Sequence, residues 1–264
     1  FAGAEATLST SMKSVGEAMA IGRNFSESLQ KAINSMETGL TGLDDIEVPG
    51  TDIARAIDKS AIIAALSEPV PDRLLRVAQA FRSGLSIDDI YNACSIDKWF
   101  LRHIEAIVEK ESALKINGLP NDRPSLFKLK QDGFSDARIA KLLNIKESAV
   151  IKRREQLTIH PVFKRIDTCA AEFEAKTPYM YSTYEGDGYN LTECESEPTN
   201  NEKIIILGGG PNRIGQGIEF DYCCVHASYA CQEMGYESVM INSNPETVST
   251  DFDTCLLYTS PSPR

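Results

Sequence analysis

A strand followed by a glycine-rich turn is the feature that most constrains the fold of this chain. The apolar run at residues 204–207 is typical of a short buried strand, and five glycines follow between positions 208 and 217. A helical pattern of apolar residues then reaches position 234, where Gly235 can end the helix. Residues 238–241 supply a second apolar strand. This order of strand, turn, helix and strand predicts the opening of a nucleotide-type α/β domain.

The glycine spacing disfavours the two commonest phosphate-binding motifs. A dinucleotide-binding G-x-G-x-x-G motif would need a glycine at position 213, which is Arg213. A P-loop would need a lysine at position 216, which is Gln216. The second strand is followed by Asn242, whereas a ribose-binding site would have an acidic residue there. A purely structural interpretation therefore stays open, in which the glycines permit a tight turn and close helix packing.

Composition and charge are those of an ordinary globular protein. The 264 residues are 42% hydrophobic and 25% charged, which is enough material for two domains. A formal net charge of −11 argues against a general nucleic-acid or anionic-membrane partner, and no apolar run could span a bilayer. The seven cysteines include no C-x-x-C pair, which is typical of a reduced, cytoplasmic protein. We predict no metal site, because the adjacent Cys223 and Cys224 would point in different directions on a helix.

A helix is predicted near the beginning of the chain. Asn24 can cap it, and Glu27 stands at the position of a capping-box partner. Leu29, Ile33 and Met36 then fall on one face, which we expect to be buried.

An internal repeat indicates a helical region between about residues 48 and 160. Residues 84–96 align without gaps on residues 133–145, and each copy begins with glycine, an apolar residue and serine. The serines, Ser86 and Ser135, are predicted N-caps of a short helix that is followed by a turn and a second helix. Trp99 lies at the start of that second helix in the first copy, and we expect it to be a core anchor.

The second copy also supports an alternative function. Residues 135–154 have the spacing of a helix-turn-helix motif, and residues 123–155 carry nine Lys or Arg against four Asp or Glu. The basic side chains at positions 152–154 would then face phosphate. The second helix, however, has few base-reading residues near its start. A nucleic-acid-binding module at residues 123–157 is therefore the alternative interpretation.

Several blocks of the sequence resemble one enzyme family. Residues 208–226, which begin Gly-Gly-Gly-Pro-Asn-Arg-Ile-Gly-Gln-Gly, and residues 242–251, Asn-Ser-Asn-Pro-Glu-Thr-Val-Ser-Thr-Asp, closely resemble the large subunit of carbamoyl-phosphate synthase at the start of its second synthetic half. Residues 12–32 look like the end of the first synthetic half, and residues 160–185 look like the bridge between the halves. The resemblance covers residues 1 to about 254 in order.

The resemblance implies a mixed α and α/β fold. A central all-helical domain is expected between a partial ATP-grasp end and the first β-α-β of a Rossmann-like pre-ATP-grasp domain. We expect the end of the first ATP-grasp (carboxyphosphate) domain at residues 1–45 and the helical oligomerisation domain with its bridge at residues 46–185. An acidic linker is expected at residues 186–202 and the start of the second (carbamoyl phosphate) domain at residues 203–254. Residues 255–264 are interpreted as a foreign or truncated tail. Because the chain does not begin with Met, we interpret it as an internal fragment.

The resemblance also implies a chemistry. The family makes carbamoyl phosphate from bicarbonate, ammonia and two ATP, for pyrimidine and arginine biosynthesis. ATP and Mg²⁺ (or Mn²⁺) are held by ATP-grasp carboxylates, which should lie outside this chain. We therefore assign no catalytic and no metal-binding residue and expect the fragment alone to be inactive. A glutamine amidotransferase small subunit or domain is the expected partner of the parent enzyme, although free ammonia stays open as nitrogen donor. Self-association through the helical domain is expected, and nucleic-acid or membrane partners are not.

One role can lie within the fragment. Members of the family pass labile intermediates through an interior passage, and Glu17, Glu219 and Glu246 match passage-lining positions, with Met12 and Gly217 nearby. Either these carboxylates hydrogen-bond carbamic acid or ammonia, or they pair with basic residues, for example Glu219 with Arg213, and only stabilise the turn.

The glycine-rich turn itself has two interpretations. It binds a substrate phosphate at the helix N-terminus, or it only shapes the floor of the active site and the passage, which we favour. Its candidate residues are Gly208, Gly209, Gly210, Asn212, Arg213 and Gly215.

Overall fold

The structure, a computed structural model, combines helices with small sheets and divides into two compact units. It describes residues 3, 5–11, 13–14, 16–49, 58–190, 192–213, 215, 219–243, 247–250 and 256–259. One unit contains Phe1–Ser14 and Leu43–Gly118, and the other contains Val15–Gly42 and Leu119–Arg264. None of the described helices combines the length and the apolar character needed to cross a membrane.

The first unit is helical. Its helices are α2 (Lys59–Leu66), α3 (Arg73–Arg82), α4 (Ile87–Cys94) and α5 (Lys98–Asn117). Ser86 caps α4 as predicted by accepting the Asp89 N–H, and the Asp89 carboxylate accepts the Ser86 backbone N–H, which completes a capping box. Ile104 and Ile107 of α5 are buried in the core of the unit. The expectation for Trp99 was wrong: this side chain is 49% exposed, because it lies on the outer face of the first turn of α5.

The second unit begins with helix α1 (Phe25–Ser35). Asn24 caps it as predicted, because the Asn24 side-chain oxygen accepts the Glu27 N–H at 2.9 Å. The Glu27 carboxylate, however, accepts from the N–H of Arg23 and not from that of Asn24. The buried face differs in part from the prediction: Ile33 is buried, but Met36 is exposed, and the other five buried residues of the helix are polar. They are Ser26, Glu27, Gln30, Lys31 and Ser35.

The helices of the second repeat copy are α6 (Arg123–Gln131), α7 (Asp136–Leu143) and α8 (Glu147–Gln156). Ser135 caps α7 as predicted, accepting the Arg138 N–H at 3.0 Å. The two copies are similar in structure as well as in sequence. The short helix of each copy ends at a residue with left-handed backbone, Ser95 (φ 54°) and Asn144 (φ 53°). Each compact unit therefore contains one copy.

A five-stranded sheet completes the second unit. Its strands, in spatial order, are β2 (Val162–Arg165), β3 (Tyr179–Thr183), β7 (Leu256–Thr259), β6 (Glu237–Asn242) and β4 (Lys203–Leu207). β2 pairs antiparallel with β3, and the other neighbours are parallel. Helix α9 (Glu219–Glu233) connects β4 to β6, so the predicted strand, turn, helix and strand are confirmed.

The expected tail takes part in this sheet. We interpreted residues 255–264 as a foreign or truncated tail and left them out of the fold prediction. In the structure, β7 lies between β3 and β6, with Val239 opposite Leu256. The run Leu-Leu-Tyr-Thr at positions 256–259 has strand propensity, and it supplies backbone partners to two strand edges.

Candidate functional site around the glycine-rich turn

The glycine-rich turn is anchored to the sheet at its first residue. The N–H of Gly208 donates to the carbonyl of Ile241 at 2.7 Å, which extends the pairing of β4 with β6. A Cβ at Gly208 would lie 2.5 Å from Cγ of Asn242. Asn242 occupies the position at which a ribose-binding site would have an acidic residue. Its side chain packs directly on the backbone of the turn. This packing explains why the first glycine is needed.

The turn also pairs with the beginning of the second unit. Two short strands, β1 (Gly16–Glu17) and β5 (Asn212–Arg213), form an antiparallel ladder in which Gly16 lies opposite Arg213 and Glu17 lies opposite Asn212. Glu17 is exposed in this chain. The structure thus brings together Glu17 and the turn, two groups of candidate residues that are about 195 positions apart in the sequence.

An ion pair that the sequence did not predict closes the same region. The Arg213 guanidinium lies 2.5 Å from Oε2 of Glu37, two residues beyond the end of α1. Gly210, in the turn, has φ 78°, and a Cβ there would lie 2.9 Å from Oε1 of Glu37. The described ion pair of Arg213 is therefore with Glu37. The pairing of Arg213 with Glu219 stays untested, because the side chain of Glu219 lies outside the described residues.

The far side of the turn is organised by α9 and a 3₁₀ turn at Val248–Thr250. Oδ2 of Asp221, in the first turn of α9, accepts the N–H of Ser249 at 2.6 Å. The hydroxyls of Ser228 and Ser238, both buried, are 2.7 Å apart and connect α9 to β6. Asp221 therefore holds residues 248–250 against the N-terminal end of the helix.

Not every candidate residue can be located. Met12, Gly217 and Glu246 lie outside the described residues, and Glu219 is described only by its backbone at the start of α9. The described residues that come together are Glu17, Gly208, Gly209, Gly210, Asn212, Arg213 and Gly215, with Glu37 as an addition that reasoning from the sequence missed. Asp221, which the sequence also did not single out, bonds to Ser249 at the start of α9. No local signal could have found Glu37, because its partner is 176 positions away.

Two described carboxylates near the turn are engaged by protein groups. Mg²⁺ at phosphate sites is held by carboxylates together with phosphate oxygens. Here Glu37 is bound to Arg213, and Asp221 accepts a backbone N–H. Within the described part of the chain, His, Cys, Asp and Glu form no group of three or more that could hold a metal ion.

The contacts of α8 give the helix-turn-helix alternative no support. Arg154 lies 3.0 Å from Oδ2 of the fully buried Asp136, and Arg153 donates to the side chain of Asn121. Two of the three basic side chains that were expected to face phosphate are therefore engaged within the second unit. Lys152 is exposed.

Asp136 belongs to a buried charged cluster. Nζ of Lys130 lies 2.8 Å from Oδ1 of Asp136, donates to the carbonyl of Phe134 at 2.7 Å and lies 5.4 Å from the ring centre of Tyr184. Burial lowers the pKa of Lys130 to about 8, although the Asp136 carboxylate opposes this shift. Burial also raises the pKa of Tyr184. This cluster connects α6, α7 and α8 to the end of β3.

A second buried pair connects α1 to the sheet. Nζ of Lys31 lies 2.8 Å from the Glu27 carboxylate and donates to the carbonyls of Ser182 (2.6 Å) and Ile21 (3.0 Å). Burial lowers the pKa of Lys31, and Glu27 opposes this shift. Because α1 leads directly to Glu37, this pair helps to fix the position from which Glu37 reaches the turn.

Two family models match the chain. One is described as the oligomerisation domain of the carbamoyl-phosphate synthetase large chain and matches residues 17–158, just over half of the chain. The other is described as the carbamoyl phosphate synthase preATP-grasp domain and matches residues 200–262. The second match continues past position 254, where the resemblance was expected to end.

Individual proteins agree with these matches. The chain is 56% identical over 259 residues to the carbamoyl phosphate synthase large chain of Mesorhizobium japonicum, which covers 96% of this chain and 22% of that protein. The corresponding protein of Rhizobium meliloti is 56% identical over 254 residues, with the same two shares. That of Vibrio cholerae is 53% identical over 255 residues, covering 96% of this chain and 23% of its own length. The chain therefore spans less than a quarter of the relatives it matches.

Proposed function

Because the chain belongs to the carbamoyl-phosphate synthase large-chain family, we propose that it forms the junction between the two synthetic halves of that enzyme. The parent would make carbamoyl phosphate from bicarbonate, ammonia and two ATP in the cytoplasm, for pyrimidine and arginine biosynthesis. The observation that carries the proposal is the ladder between β1 and β5. It joins a segment that resembles the end of the first half to a segment that resembles the start of the second.

The proposed domain organisation follows from the same reasoning. We assign residues 1–45 to the end of the first ATP-grasp domain and residues 46–185 to the helical domain with its bridge, although the match to the oligomerisation-domain model already begins at residue 17. β4, α9 and β6 open a Rossmann-like pre-ATP-grasp domain. The parallel pairing of β4 with β6 supports this last assignment. ATP and Mg²⁺ (or Mn²⁺) are bound by residues outside this chain, so the chain alone is inactive. The parent receives ammonia from a glutamine amidotransferase small subunit or domain.

Within this junction, we assign Glu17, Glu219 and Glu246 to the lining of a passage for intermediates, with Met12 and Gly217 beside them. Carbamic acid is unstable in water, so a two-site enzyme benefits from a route that excludes solvent. A carboxylate at the passage wall accepts hydrogen bonds from the O–H or N–H of neutral carbamic acid. The position of Glu17 opposite Asn212, beside the glycine-rich turn, supports this role.

The helical domain is also proposed to mediate self-association. The part of this domain that lies in the first unit has an aromatic patch at the start of α5, defined here as Trp99, Phe100 and His103. Trp99 is 49% exposed and Phe100 is 43% exposed. The ring centre of Trp99 lies 5.0 Å from that of Phe100 and 4.4 Å from that of His103. Exposed aromatic clusters of this kind are enriched at protein interfaces.

The passage role is tested by coupling in the full-length parent enzyme. Glu17→Ala, Glu219→Ala and Glu246→Ala should each raise the number of ATP molecules hydrolysed per carbamoyl phosphate formed, because carbamate that leaves the passage decomposes. Glu109→Ala is the control, since it removes an exposed carboxylate on α5 of the first unit. A normal ratio in all three variants would refute the passage role.

A further inference from the structure

Glu37 contacts the glycine-rich turn at two points. Its Oε2 lies 2.5 Å from the Arg213 guanidinium, and its Oε1 lies where a side chain on Gly210 would collide with it. The backbone of Glu37 has φ 54°, a conformation that glutamate rarely adopts. Since this conformation directs a charged side chain to one particular arginine, the contact is specified by the backbone as well as by charge.

The same arginine is fixed from its other side. Arg213 lies opposite Gly16 in the ladder of β1 with β5, and Glu17 is the next residue of that ladder. The backbone of Arg213 therefore pairs with β1, and its side chain forms the ion pair with Glu37. A change in the ion pair would be transmitted through one residue to the position of Glu17.

We propose that Glu37 is a positioning residue, and that its ion pair with Arg213 holds the glycine-rich turn against β1 so that Glu17 stays at the passage. This inference rests on the proposed passage role of Glu17. It assigns Arg213 to Glu37, whereas reasoning from the sequence considered Glu219 as the partner. Glu37 itself touches no intermediate and acts only through the turn.

The test is a double-mutant cycle in the full-length parent enzyme. Glu37→Ala, Arg213→Ala and the double variant are compared by the ratio of ATP hydrolysed to carbamoyl phosphate formed. The Glu37 and Arg213 side chains are 57% and 38% exposed in this chain, so we expect each single change to raise the ratio by about two- to fivefold. The double variant should be no worse than either single variant, because both remove one interaction. Glu37→Gln, which keeps an acceptor for Arg213, should restore part of the coupling.

Matched controls separate this inference from the passage role. Glu197→Ala removes a carboxylate that is 84% exposed and lies 3.7 Å from Arg165, and it should leave the ratio unchanged. Bicarbonate-dependent ATP hydrolysis without ammonia reports whether the first half is folded, and it should be normal in every variant. Loss of this partial reaction in the Glu37 and Arg213 variants would overturn the inference, since it would indicate a general structural role.

The remaining outcomes are also decisive. If Glu17→Ala raises the ratio while the Glu37 and Arg213 variants do not, Glu37 is not a positioning residue and the passage role stands. If the Glu37 and Arg213 variants raise the ratio while Glu17→Ala does not, the proposed action through Glu17 is wrong. Additive effects in the double variant would show that the two residues act separately.

Discussion

Nζ of Lys130 lies 2.8 Å from the carboxylate of Asp136, and both side chains are completely shielded from solvent. Asp136 also accepts from Nε of Arg154 at 3.0 Å. One buried carboxylate thus satisfies two cations from the helices on either side of it in the sequence. A buried charge is tolerated only when it is paired in this way, so the second unit depends on this arrangement.

We predict that Asp136→Asn strongly destabilises the second unit. The variant leaves the buried Lys130 and the partly buried Arg154 without a compensating negative charge, which costs about 3–5 kcal/mol. Urea denaturation of the chain should show this loss in the free energy of unfolding. Asp88→Asn is the control, because the pair of Asp88 with Lys98, at 2.5 Å, is exposed on both sides and is worth at most about 1 kcal/mol. Equal losses in the two variants would contradict the prediction.

The lowered pKa of Lys130 predicts an unusual dependence of stability on pH. The pKa is about 8 in the folded chain and 10.5 for an ordinary lysine, so the unfolded chain binds more protons between these values. The contribution of Lys130 to the free energy of unfolding therefore rises as the pH increases from about 8 to 10.5, by up to roughly 3 kcal/mol. Below pH 8 Lys130 is protonated in both the folded and the unfolded chain. The cost of burying its charge then lowers the free energy of unfolding by the full amount.

This dependence is measured by comparison with Lys130→Met. The difference in free energy of unfolding between the wild-type chain and this variant should shift in favour of the wild type between pH 7.5 and pH 9.5. Lys128→Met serves as the reference for a lysine exposed on the same helix. A difference that does not change over this interval would refute the assignment of the titration to Lys130.

Features encoded by neighbouring residues were predicted correctly from the sequence. The caps Asn24, Ser86 and Ser135 each bond to a backbone N–H three residues ahead, so a short window contains the whole signal. The same holds for β4, α9 and β6, because hydrophobic periodicity and glycine punctuation are local. The passage residues came from the family resemblance and not from such signals, and their role stays a prediction.

Features that depend on distant partners were not predictable. The pairing of Lys130 and Arg154 with the buried Asp136 is one such feature, because a lysine or an arginine is rarely buried and no sequence pattern reveals the pairing. Trp99 was expected in the core for the opposite reason, since a large apolar residue is usually buried, although an interface also selects for aromatics. The ion pair of Glu37 with Arg213 joins parts of the chain that only the folded topology brings together.

Two glycines of the turn should respond differently to alanine. Gly208 has no positive φ, but a Cβ would lie 2.5 Å from Cγ of Asn242, so Gly208→Ala forces the strand and the turn apart. Gly215 has φ 83° and open space around a Cβ, so Gly215→Ala meets only backbone strain. We expect losses in the free energy of unfolding of about 1–3 kcal/mol for Gly208→Ala and about 1 kcal/mol for Gly215→Ala.

Hydrogen exchange would locate these two effects. Gly208→Ala should speed exchange of the amides shared by β4 and β6, because the displaced residue donates to Ile241. Gly215→Ala should leave those amides protected. The opposite order of effects would show that the packing of Asn242 on Gly208 is not what requires glycine there.

The aromatic patch predicts a self-association that the chain can report by itself. Trp99 is the single tryptophan of the chain, so fluorescence excited selectively at the indole, and not at the nine tyrosines, observes this surface alone. If the patch is the interface, its emission should shift to shorter wavelength as the concentration of the chain rises, because association removes water from the indole.

Trp99→Ala and Phe100→Ala should weaken the association, measured by sedimentation equilibrium, by about tenfold or more, since aromatic residues at the centre of an interface typically contribute more than about 1 kcal/mol each. Phe173→Ala is the control, because Phe173 is an exposed aromatic residue that belongs to the second unit. Association of unchanged strength in both patch variants would exclude this surface, whatever the oligomeric state of the chain.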